Sequence, residues 1–263
     1  MTGDARPTPE DALPDLSGNV AVVTGGGRGI GRAITLGMAA AGATVVPSAR
    51  TAAEVETVAD EARDLGVEAR GITADVTDDG DVAALVDETV DEFGSLDVLV
   101  NNAGFNLGDA LGDPSEIESD AVDSVLDVNL RGAFRTLRAA GPHLKEAEGS
   151  VVNVASVAGE VGLPRQHPYV ASKHGLVGLT KSAAMDWAPE VRVNAVAPGY
   201  VATDLTETLQ ENERLRQSIL DRTPLDRFAD PTEIAGPVAF LASDVASFVT
   251  GETLAADGGW TAR

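Results

Sequence analysis

Short apolar runs rich in valine alternate with helical patterns along almost the whole chain. NVAVVTG, ATVVPSA and LDVLVNNAG are three such runs, and each precedes a segment whose apolar residues recur at helical spacing. Runs this apolar are typical of strands buried on both faces, and a helix between two strands favours parallel pairing. The pattern therefore predicts an α/β fold, with a doubly wound parallel sheet of about seven strands and helices on both faces.

The chain shows no internal boundary after its first residues. Residues 1–16 are polar and proline-rich, which predicts a disordered lead-in. Residues 17–263 contain no stretch that resembles a linker, so we expect them to form a single domain. Pro47 falls in the second predicted strand. Because proline cannot donate a hydrogen bond to a ladder, we expect it near the end of that strand.

Acidic residues dominate the surface charge. The chain has 42 Asp and Glu against 19 Lys and Arg, which gives a net charge of −23. Such a surface repels nucleic acid and anionic lipid, so we expect neither as a partner. We interpret it as an adaptation to high intracellular salt, where ions screen the repulsion between carboxylates.

Two absences in the sequence narrow the class of protein further. No apolar run reaches the ~18 residues needed to cross a bilayer, and the first residues do not resemble a signal peptide. The chain contains no cysteine, which excludes disulfides and thiolate metal sites. These features predict a cytoplasmic protein that does not associate with a membrane.

The stretch HPYVASKHG, residues 167–175, places a tyrosine and a lysine four residues apart. Pro168 is suited to the first position of a helix, so Tyr169 and Lys173 are expected on one helical face. A nearby ammonium stabilises a phenolate, and we expect Lys173 to lower the pKa of Tyr169 enough for proton transfer. By itself the pair also fits a half-buried tyrosine beside a solvated lysine.

A glycine-rich turn, TGGGRGIG at residues 24–31, joins the first strand to the first helix. Its glycines allow a close approach of the backbone to a pyrophosphate, and the helix N-terminus supplies free N–H groups. The spacing, Gly25-x3-Gly29-x-Gly31, differs from the common G-x-G-x-x-G pattern. A tight turn without a ligand is the alternative interpretation.

The end of the second strand indicates which dinucleotide would bind. An acidic residue here normally holds the ribose hydroxyls and excludes a 2′-phosphate, but this strand ends in PSAR, without a carboxylate. Arg28 and Arg50 are suited to a 2′-phosphate, although both also fit as solvated arginines. The sequence therefore favours NADP over NAD.

Together these motifs resemble the short-chain dehydrogenase/reductase family, over nearly the whole chain after residue 16. NNAG at residues 101–104 resembles the family's sheet-supporting motif, Asp75-Val76 its element near the adenine, and Pro198-Gly199 its turn beside the nicotinamide. The resemblance implies a Rossmann-like domain, a nicotinamide cofactor and no metal. The cofactor-binding residues that it implies are Gly25, Arg28, Gly29, Ile30, Gly31, Arg50, Asp75, Val76, Asn102, Ala103, Gly104, Tyr169, Lys173, Pro198, Gly199, Val201 and Thr203.

The resemblance also implies a catalytic set of four residues. Ser156, 13 residues before Tyr169, corresponds to the serine that orients the substrate, and Asn129 to the catalytic asparagine. In this scheme Ser156 bonds the reacting oxygen and Tyr169 exchanges its proton. Lys173 tunes the phenol and binds the nicotinamide ribose, while Asn129 holds a water in a relay to solvent.

The loops expected around the substrate favour a small polyhydroxy molecule. Polar residues are expected to line them where a long acyl chain would need an apolar slot, namely Asn106, Glu160, Gln166 and His167. The helical stretch at residues 203–222 is expected to form a mobile lid. Arg165 is a candidate carboxylate ligand, although solvation is its ordinary role.

The last forty residues resemble family members that act on sugars and sugar acids, and also 3-oxoacyl thioester reductases. We expect oxidation of a sugar or sugar acid, as in aldose 1-dehydrogenases and gluconate or ketodeoxygluconate dehydrogenases. Reduction of a 3-oxoacyl thioester is the alternative. A cofactor-binding regulator without turnover is a more distant one, because such a role has no need for proton-transfer residues. The resemblance implies a homotetramer as well.

Overall fold

A computed structural model describes residues 13–106 and 108–262. Within them, seven strands form one parallel sheet in the order β3-β2-β1-β4-β5-β6-β7. The order reverses direction between β1 and β4, which makes the sheet doubly wound as the sequence predicts. The strands are β1 Val20–Thr24, β2 Thr44–Ala49, β3 Ile72–Thr73, β4 Val98–Asn101, β5 Ser150–Val154, β6 Arg192–Pro198 and β7 Thr253–Ala256.

Helices cover both faces of the sheet. Successive residues of a strand point to opposite faces, so Ala21 and Val23 pack into one core while Val20 and Val22 pack into the other. Helices α1, α2 and α9 complete the first core, and α3, α5 and α6 the second. The helices are α1 Gly29–Ala40, α2 Ala52–Asp64, α3 Asp79–Phe93, α4 Ser119–Leu126, α5 Gly132–Glu146, α6 His167–Trp187, α7 Glu207–Glu211, α8 Glu213–Leu220 and α9 Thr232–Ala242.

Pro47 lies in the interior of β2, paired with Val23, so its predicted place near the strand end is wrong. The N–H groups of a parallel strand point alternately to its two neighbours, and Val45 N–H points towards the β3 side, at Glu68 O. Pro47 faces the same side. It falls between the isolated bridge of Val45 with Ala69 and the β3 ladder, where the sheet needs no donor.

The predicted lead-in, residues 1–16, lies mostly outside the described residues. Its last residue is an exception, because Leu16 is only 1% exposed and packs into the core with α1. The backbone N–H of Leu16 also donates to Ala41 O at 2.8 Å. Leu16 therefore belongs to the domain, and the predicted boundary is wrong at this residue.

We find no membrane-spanning candidate among the helices of residues 13–106 and 108–262, since none combines the necessary length and hydropathy.

Candidate active site

The predicted site residues gather at the carboxyl ends of the central strands. The reversal of strand order between β1 and β4 opens a crevice there, because the following segments leave towards opposite faces of the sheet. The glycine-rich turn follows β1, the NNAG motif ends β4, and Ser156 follows β5. The fold thus brings together motifs that are up to about 130 residues apart in sequence.

The glycine turn leaves no room for a β-carbon at four of its positions, Gly25, Gly26, Gly27 and Gly31. Gly25 has a φ of +64°, in the left-handed region. A β-carbon on Gly31 would overlap the carbonyl oxygen of Gly25 and would lie 2.5 Å from Asn102 Nδ2. Arg28, at the N-cap position of α1, makes no side-chain cap bond, so it leaves the N–H groups of the first turn available to a ligand.

Asn102 ties the NNAG motif to this turn. Its Nδ2 donates to Thr24 O at 2.9 Å and to Gly25 O at 3.1 Å. Thr24 Oγ1 in turn accepts from the backbone N–H groups of Asn102 and Ala103, both at 3.1 Å. The ends of β1 and β4 are therefore held as one unit. Thr24 was not predicted as a site residue, although the position of Thr24 at the end of β1 was the available signal.

Arg50 and Arg28 have different acidic neighbours, Asp75 and Asp204. Burial alone would raise the pKa of Asp75, but hydrogen bonds from Thr77, helped by the charges of Arg50 and Arg135, bring it below its usual range. Arg50 therefore lies close to Asp75. Arg28 pairs with Asp204 at 3.6 Å, and because both side chains are more than 70% exposed the pair is weak and easily exchanged.

The remaining predicted residues lie around the crevice. A β-carbon on Gly29 would lie 3.5 Å from Thr203 Cγ2, so the start of the predicted lid lies close to the glycine turn. Val201 is buried and its side chain packs into the core, which leaves only its backbone for a ligand. Ile30 also packs against the core, Val76 contacts Gly132, and Pro198 and Gly199 end β6 beside Asp257.

Tyr169 and Ser156 meet at the end of β5. Helix α6 carries Tyr169 in its first turn, and the phenol hydrogen-bonds with the Ser156 hydroxyl. Ser156 Oγ also accepts from the N–H of Ala158 at 3.1 Å, which fixes its position. Lys173 Nζ lies 5.7 Å from the centre of the Tyr169 ring. The predicted pair and its serine are thus brought together.

The pKa of Tyr169 is raised in this structure, which is opposite to the predicted direction. Burial raises the pKa of Tyr169, the hydrogen bond with Ser156 only partly offsets that rise, and the neighbouring Tyr200 adds to it. Lys173 donates to Val154 O at 2.8 Å instead. Its own pKa falls to about 8, because its ammonium is buried.

Asn129 lies in a short π-helical segment, Asp127–Arg131, that separates α4 from α5. Such segments are frequent at functional sites. Asn129 Oδ1 accepts from Phe105 N at 2.9 Å, and Nδ2 donates to Phe105 O at 2.9 Å and Ser172 Oγ at 3.2 Å. Both amide hydrogens are occupied, so the side chain can hold the predicted water only through Oδ1.

This clamp places the segment after β4 against α6. A β-carbon on Gly104 would lie 3.2 Å from Asn129 Oδ1 and 3.5 Å from Lys173 Nζ. Ser172, next to Lys173, donates to Tyr169 O at 2.7 Å. The predicted catalytic residues therefore occupy one cluster. Phe105, whose backbone completes it, was not identified from the sequence.

Of the predicted lining residues, Asn106 and Gln166 contact each other, whereas Glu160 lies elsewhere. Asn106 Nδ2 donates to Gln166 Oε1 at 3.1 Å. Glu160 instead lines a cavity of about 490 Å³ with His174 and Lys181, and neither Asn106 nor Gln166 lines that cavity. Tyr169 also belongs to an apolar cluster that forms a wall beside it and contains Val157, Leu209, Ile219, Tyr200 and Trp260. Part of the predicted lid, Leu209 and Ile219, thus covers the site.

We expect Lys173→Met to stabilise the fold at neutral pH. The pKa of Lys173 falls from 10.5 to about 8, so burying its charge costs free energy. The variant also loses the bond to Val154. With that loss included, its free energy of unfolding at pH 7 should be about 2 kcal/mol higher than that of wild type. The folded form releases its proton first, so the advantage is complete below pH 8 and shrinks as the pH rises towards 10.5.

Urea unfolding at pH 7 and pH 10 measures this difference. Lys181→Met is the matched control, because Lys181 lies on the same helix with its side chain exposed. A Lys173→Met protein that is less stable than wild type at pH 7 would contradict the stated cost of the buried ammonium.

The turn and crevice fit a dinucleotide. Gly25 and Gly31 have no side chains that would keep a ligand from the backbone, and the Arg28 side chain does not cap the helix N-terminus. The Tyr169 phenol and the Lys173 ammonium lie close to the same crevice. The residues present would hold the pyrophosphate at the turn and the adenosine near Asp75 and Arg50. Fold and site together define a nucleotide-dependent oxidoreductase.

Comparison with known proteins gives the family. A model described as enoyl-(acyl carrier protein) reductase matches residues 25–261. FabG, the 3-oxoacyl-(acyl-carrier-protein) reductase of Staphylococcus aureus, is 45% identical over 242 residues, which cover 91% of this chain and 96% of the relative. The chain belongs to the short-chain dehydrogenase/reductase family. It is an oxidoreductase that acts on CH–OH groups of a small-molecule substrate with a nicotinamide cofactor.

Relatives that act on sugar acids are also similar. The 2-dehydro-3-deoxy-D-gluconate 5-dehydrogenase of Escherichia coli is 39% identical over 252 residues, covering 94% of this chain and 97% of the relative. The crystal structure of a gluconate 5-dehydrogenase from Burkholderia cenocepacia, in complex with NADP and tartrate, has a TM-score of 0.91 and 35% identity. It covers 97% of this chain and 99% of that one.

Proposed function

We propose that the chain is an NADP-dependent dehydrogenase that oxidises a secondary or anomeric hydroxyl of a sugar or sugar acid. The observation that carries this proposal is the Asn106–Gln166 amide pair at the site. Paired amides suit a substrate with many hydroxyls, since each amide offers both a donor and an acceptor. The similarity to dehydrogenases of gluconate and of its dehydro-deoxy derivative supports the same choice.

In this proposal four residues act on the substrate and the proton. Ser156 donates to the reacting oxygen, and Tyr169, already bonded to Ser156, removes its proton. Lys173 holds the nicotinamide ribose and supplies positive charge beside the phenolate, and Asn129 secures the segment after β4 and a water through Oδ1. The cofactor, when bound, accepts the hydride from the carbinol carbon. The cofactor-binding residues are those expected from the sequence.

We expect Arg50→Ala to weaken the preference for NADP. Arg50 lies near Asp75 at the proposed adenosine end, where its guanidinium would pair with the 2′-phosphate. Removing it should lower kcat/KM about 10- to 100-fold with NADP and much less with NAD. Arg138→Ala is the control, since Arg138 pairs with Asp79 on the helical surface. Wild-type enzyme that prefers NAD, with no response to Arg50→Ala, would refute the NADP assignment.

Reduction of a 3-oxoacyl thioester is the second candidate. It is favoured by the 45% identity to the Staphylococcus aureus reductase and by the apolar wall around Val157, Ile219 and Trp260. A panel of aldoses, aldonates and acetoacetyl-CoA, followed by the absorbance of the reduced cofactor in molar KCl, separates the two. Turnover of aldonates or aldoses supports the proposal. Turnover of acetoacetyl-CoA alone replaces it with the thioester reductase.

A regulator that binds the cofactor without turnover is the third and most distant candidate. The close arrangement of Ser156, Tyr169 and Lys173 opposes it, because binding alone needs no proton transfer. Tight cofactor binding with no turnover on a broad panel of alcohols and carbonyls would support the regulator.

We also propose the setting in which the enzyme works. Residues 17–263, with Leu16, form a single cytoplasmic domain that assembles as a homotetramer. Two exposed apolar side chains on α5 and α6, Phe134 at 53% and Met185 at 84%, support a face that is covered in the assembly. Light scattering at high salt tests it, and a monomer would refute it.

The net charge of −23 supports activity at high salt. Screening by the salt should reduce repulsion between the surface carboxylates, so the melting temperature should rise with KCl. A flat or falling trend would refute the adaptation.

A further inference from the structure

The Asn106 side chain has one buried polar atom that its hydrogen bonds leave unpaired. Its Nδ2 donates to Gln166 Oε1 at 3.1 Å. Its Oδ1 is buried and has no hydrogen-bond partner among residues 13–106 and 108–262. A buried acceptor that remains unpaired is unfavourable, and such groups in folded proteins call for an explanation.

Gln166 is also in an unexpected conformation. It occupies the N-cap position of α6, the helix that carries Tyr169, yet its side chain makes no cap bond. Its backbone carbonyl accepts from Val170 N at 2.8 Å, so the residue is fixed to the first turn of the helix. The side chain reaches across to Asn106, 60 residues earlier in the sequence.

Both residues lie close to the catalytic cluster. Asn106 follows Phe105, whose backbone is bonded at both ends to the Asn129 amide. Gln166 precedes Tyr169 by three residues, a spacing that places the two on neighbouring positions of a helical surface. The amide pair therefore joins the segment after β4 to the start of the catalytic helix.

The bond from Asn106 determines which end of the Gln166 amide is free. With Oε1 occupied by Asn106 Nδ2, the Nε2 donors of Gln166 are left for another acceptor. We propose that Gln166 is a specificity-determining residue whose Nε2 donates to a hydroxyl or carboxylate oxygen of the sugar or sugar acid, and that Asn106 is the positioning residue that fixes this orientation. This inference rests on the proposed function and adds a named contact to it.

A series of related substrates, assayed with wild type and with Gln166→Leu, tests the contact. The series consists of D-gluconate, its single-deoxy analogues, and a neutral polyol of the same length, each assayed with NADP. For wild type, removing the oxygen that Gln166 contacts should lower kcat/KM about 10- to 100-fold. In Gln166→Leu the ratio between the parent and that analogue should fall to about one. If Gln166→Leu no longer discriminates between D-gluconate and the neutral polyol, Gln166 contacts the substrate carboxylate. If it no longer discriminates between D-gluconate and one deoxy analogue, Gln166 contacts the hydroxyl that this analogue lacks.

The double variant tests the role of Asn106. Asn106→Leu should raise KM for the parent more than it lowers kcat, and it should add little in the Gln166→Leu background, because it acts through Gln166. Losses that are equal for all substrates, or fully additive between the two variants, would mean that the pair only supports the fold and would overturn the inference.

The same assays separate this inference from the function on which it rests. A wild-type enzyme that oxidises no sugar or sugar acid overturns both. A wild-type enzyme that oxidises D-gluconate, with discrimination unchanged in Gln166→Leu, overturns the contact alone.

Discussion

Tyr169→Phe is expected to lower kcat for oxidation by about 10²- to 10⁴-fold, the usual contribution of a general base. The substitution keeps the ring in its packing with Val157 and Tyr200 and removes only the hydroxyl that bonds Ser156. The Kd of the reduced cofactor should change by less than about tenfold, because at most one hydrogen bond is lost. Initial rates and fluorescence titration of the reduced cofactor measure the two quantities.

Tyr200→Phe is the matched control. Tyr200 is the only other tyrosine of the chain, packs beside Tyr169, and also has a raised pKa because it is buried. It lacks the serine and lysine neighbours of Tyr169, so its variant should lose far less activity. If Tyr169→Phe retained nearly the wild-type rate, or if both variants lost the same amount, the assignment of the base would be wrong.

The protonation of Tyr169 sets the direction of the pH dependence. Oxidation needs the phenolate, whose fraction grows as the pH rises, and because burial raises the pKa of Tyr169 this growth is displaced to more alkaline pH. Oxidation should therefore accelerate on the alkaline side, while reduction, which needs the protonated phenol, should slow.

Gly31→Ala is expected to raise the Kd of the cofactor about 10- to 100-fold. The added carbon would overlap the carbonyl oxygen of Gly25 and crowd Asn102 Nδ2, and neither can move without disturbing the bonds that join β1 to β4. Overpacking of this kind costs about 1–3 kcal/mol, and the displaced turn no longer presents its N–H groups to a pyrophosphate. Fluorescence titration gives the Kd, and a thermal scan shows whether the fold survives.

The control for this variant is Gly236→Ala. Gly236 lies in α9, where a β-carbon would meet nothing within 4 Å. Alanine is the better helix former, but a β-carbon before Pro237 is disfavoured in a helix, so this variant should bind the cofactor normally with little change in stability. Unchanged cofactor affinity in Gly31→Ala would show that the turn does not carry the pyrophosphate.

Local spacing was sufficient to predict the parts of the site that lie within one element. Tyr169 and Lys173 share a helix, and Gly25 and Gly31 share a turn, so their relative positions follow from backbone geometry. The sheet was predictable for a similar reason, because each apolar run is short and each is followed by a helical pattern.

The features of the site that were not predictable from the sequence depend on contacts between distant segments. The direction of the Tyr169 pKa shift depends on burial, and the Lys173 ammonium bonds Val154 O, a partner 19 residues away. The clamp on Asn129 uses the backbone of Phe105, and a backbone partner leaves no signature in the residue type. Pro47 was misplaced because its tolerance depends on where β3 begins. Each of these required the packed structure.

Lys173 illustrates how stability is exchanged for function at this site. An ammonium buried against a single backbone carbonyl is unfavourable, and its pKa of about 8 reflects that cost. The chain retains the charge where the phenolate and the cofactor ribose would need it. The expected gain in stability of Lys173→Met and the expected loss of activity in the same variant have this one origin.

The central claim is that a hydride passes from the substrate carbon to the cofactor, and the most direct test labels that hydrogen. Wild-type enzyme is incubated with NADP and with D-gluconate or an aldose in which every carbon-bound hydrogen is deuterium, and the reduced cofactor is analysed by mass spectrometry. The account predicts that the reduced cofactor carries one deuterium from the substrate carbon, and that Tyr169→Phe forms almost none. Reduced cofactor without deuterium, or no reduction by any substrate of the panel, would contradict it.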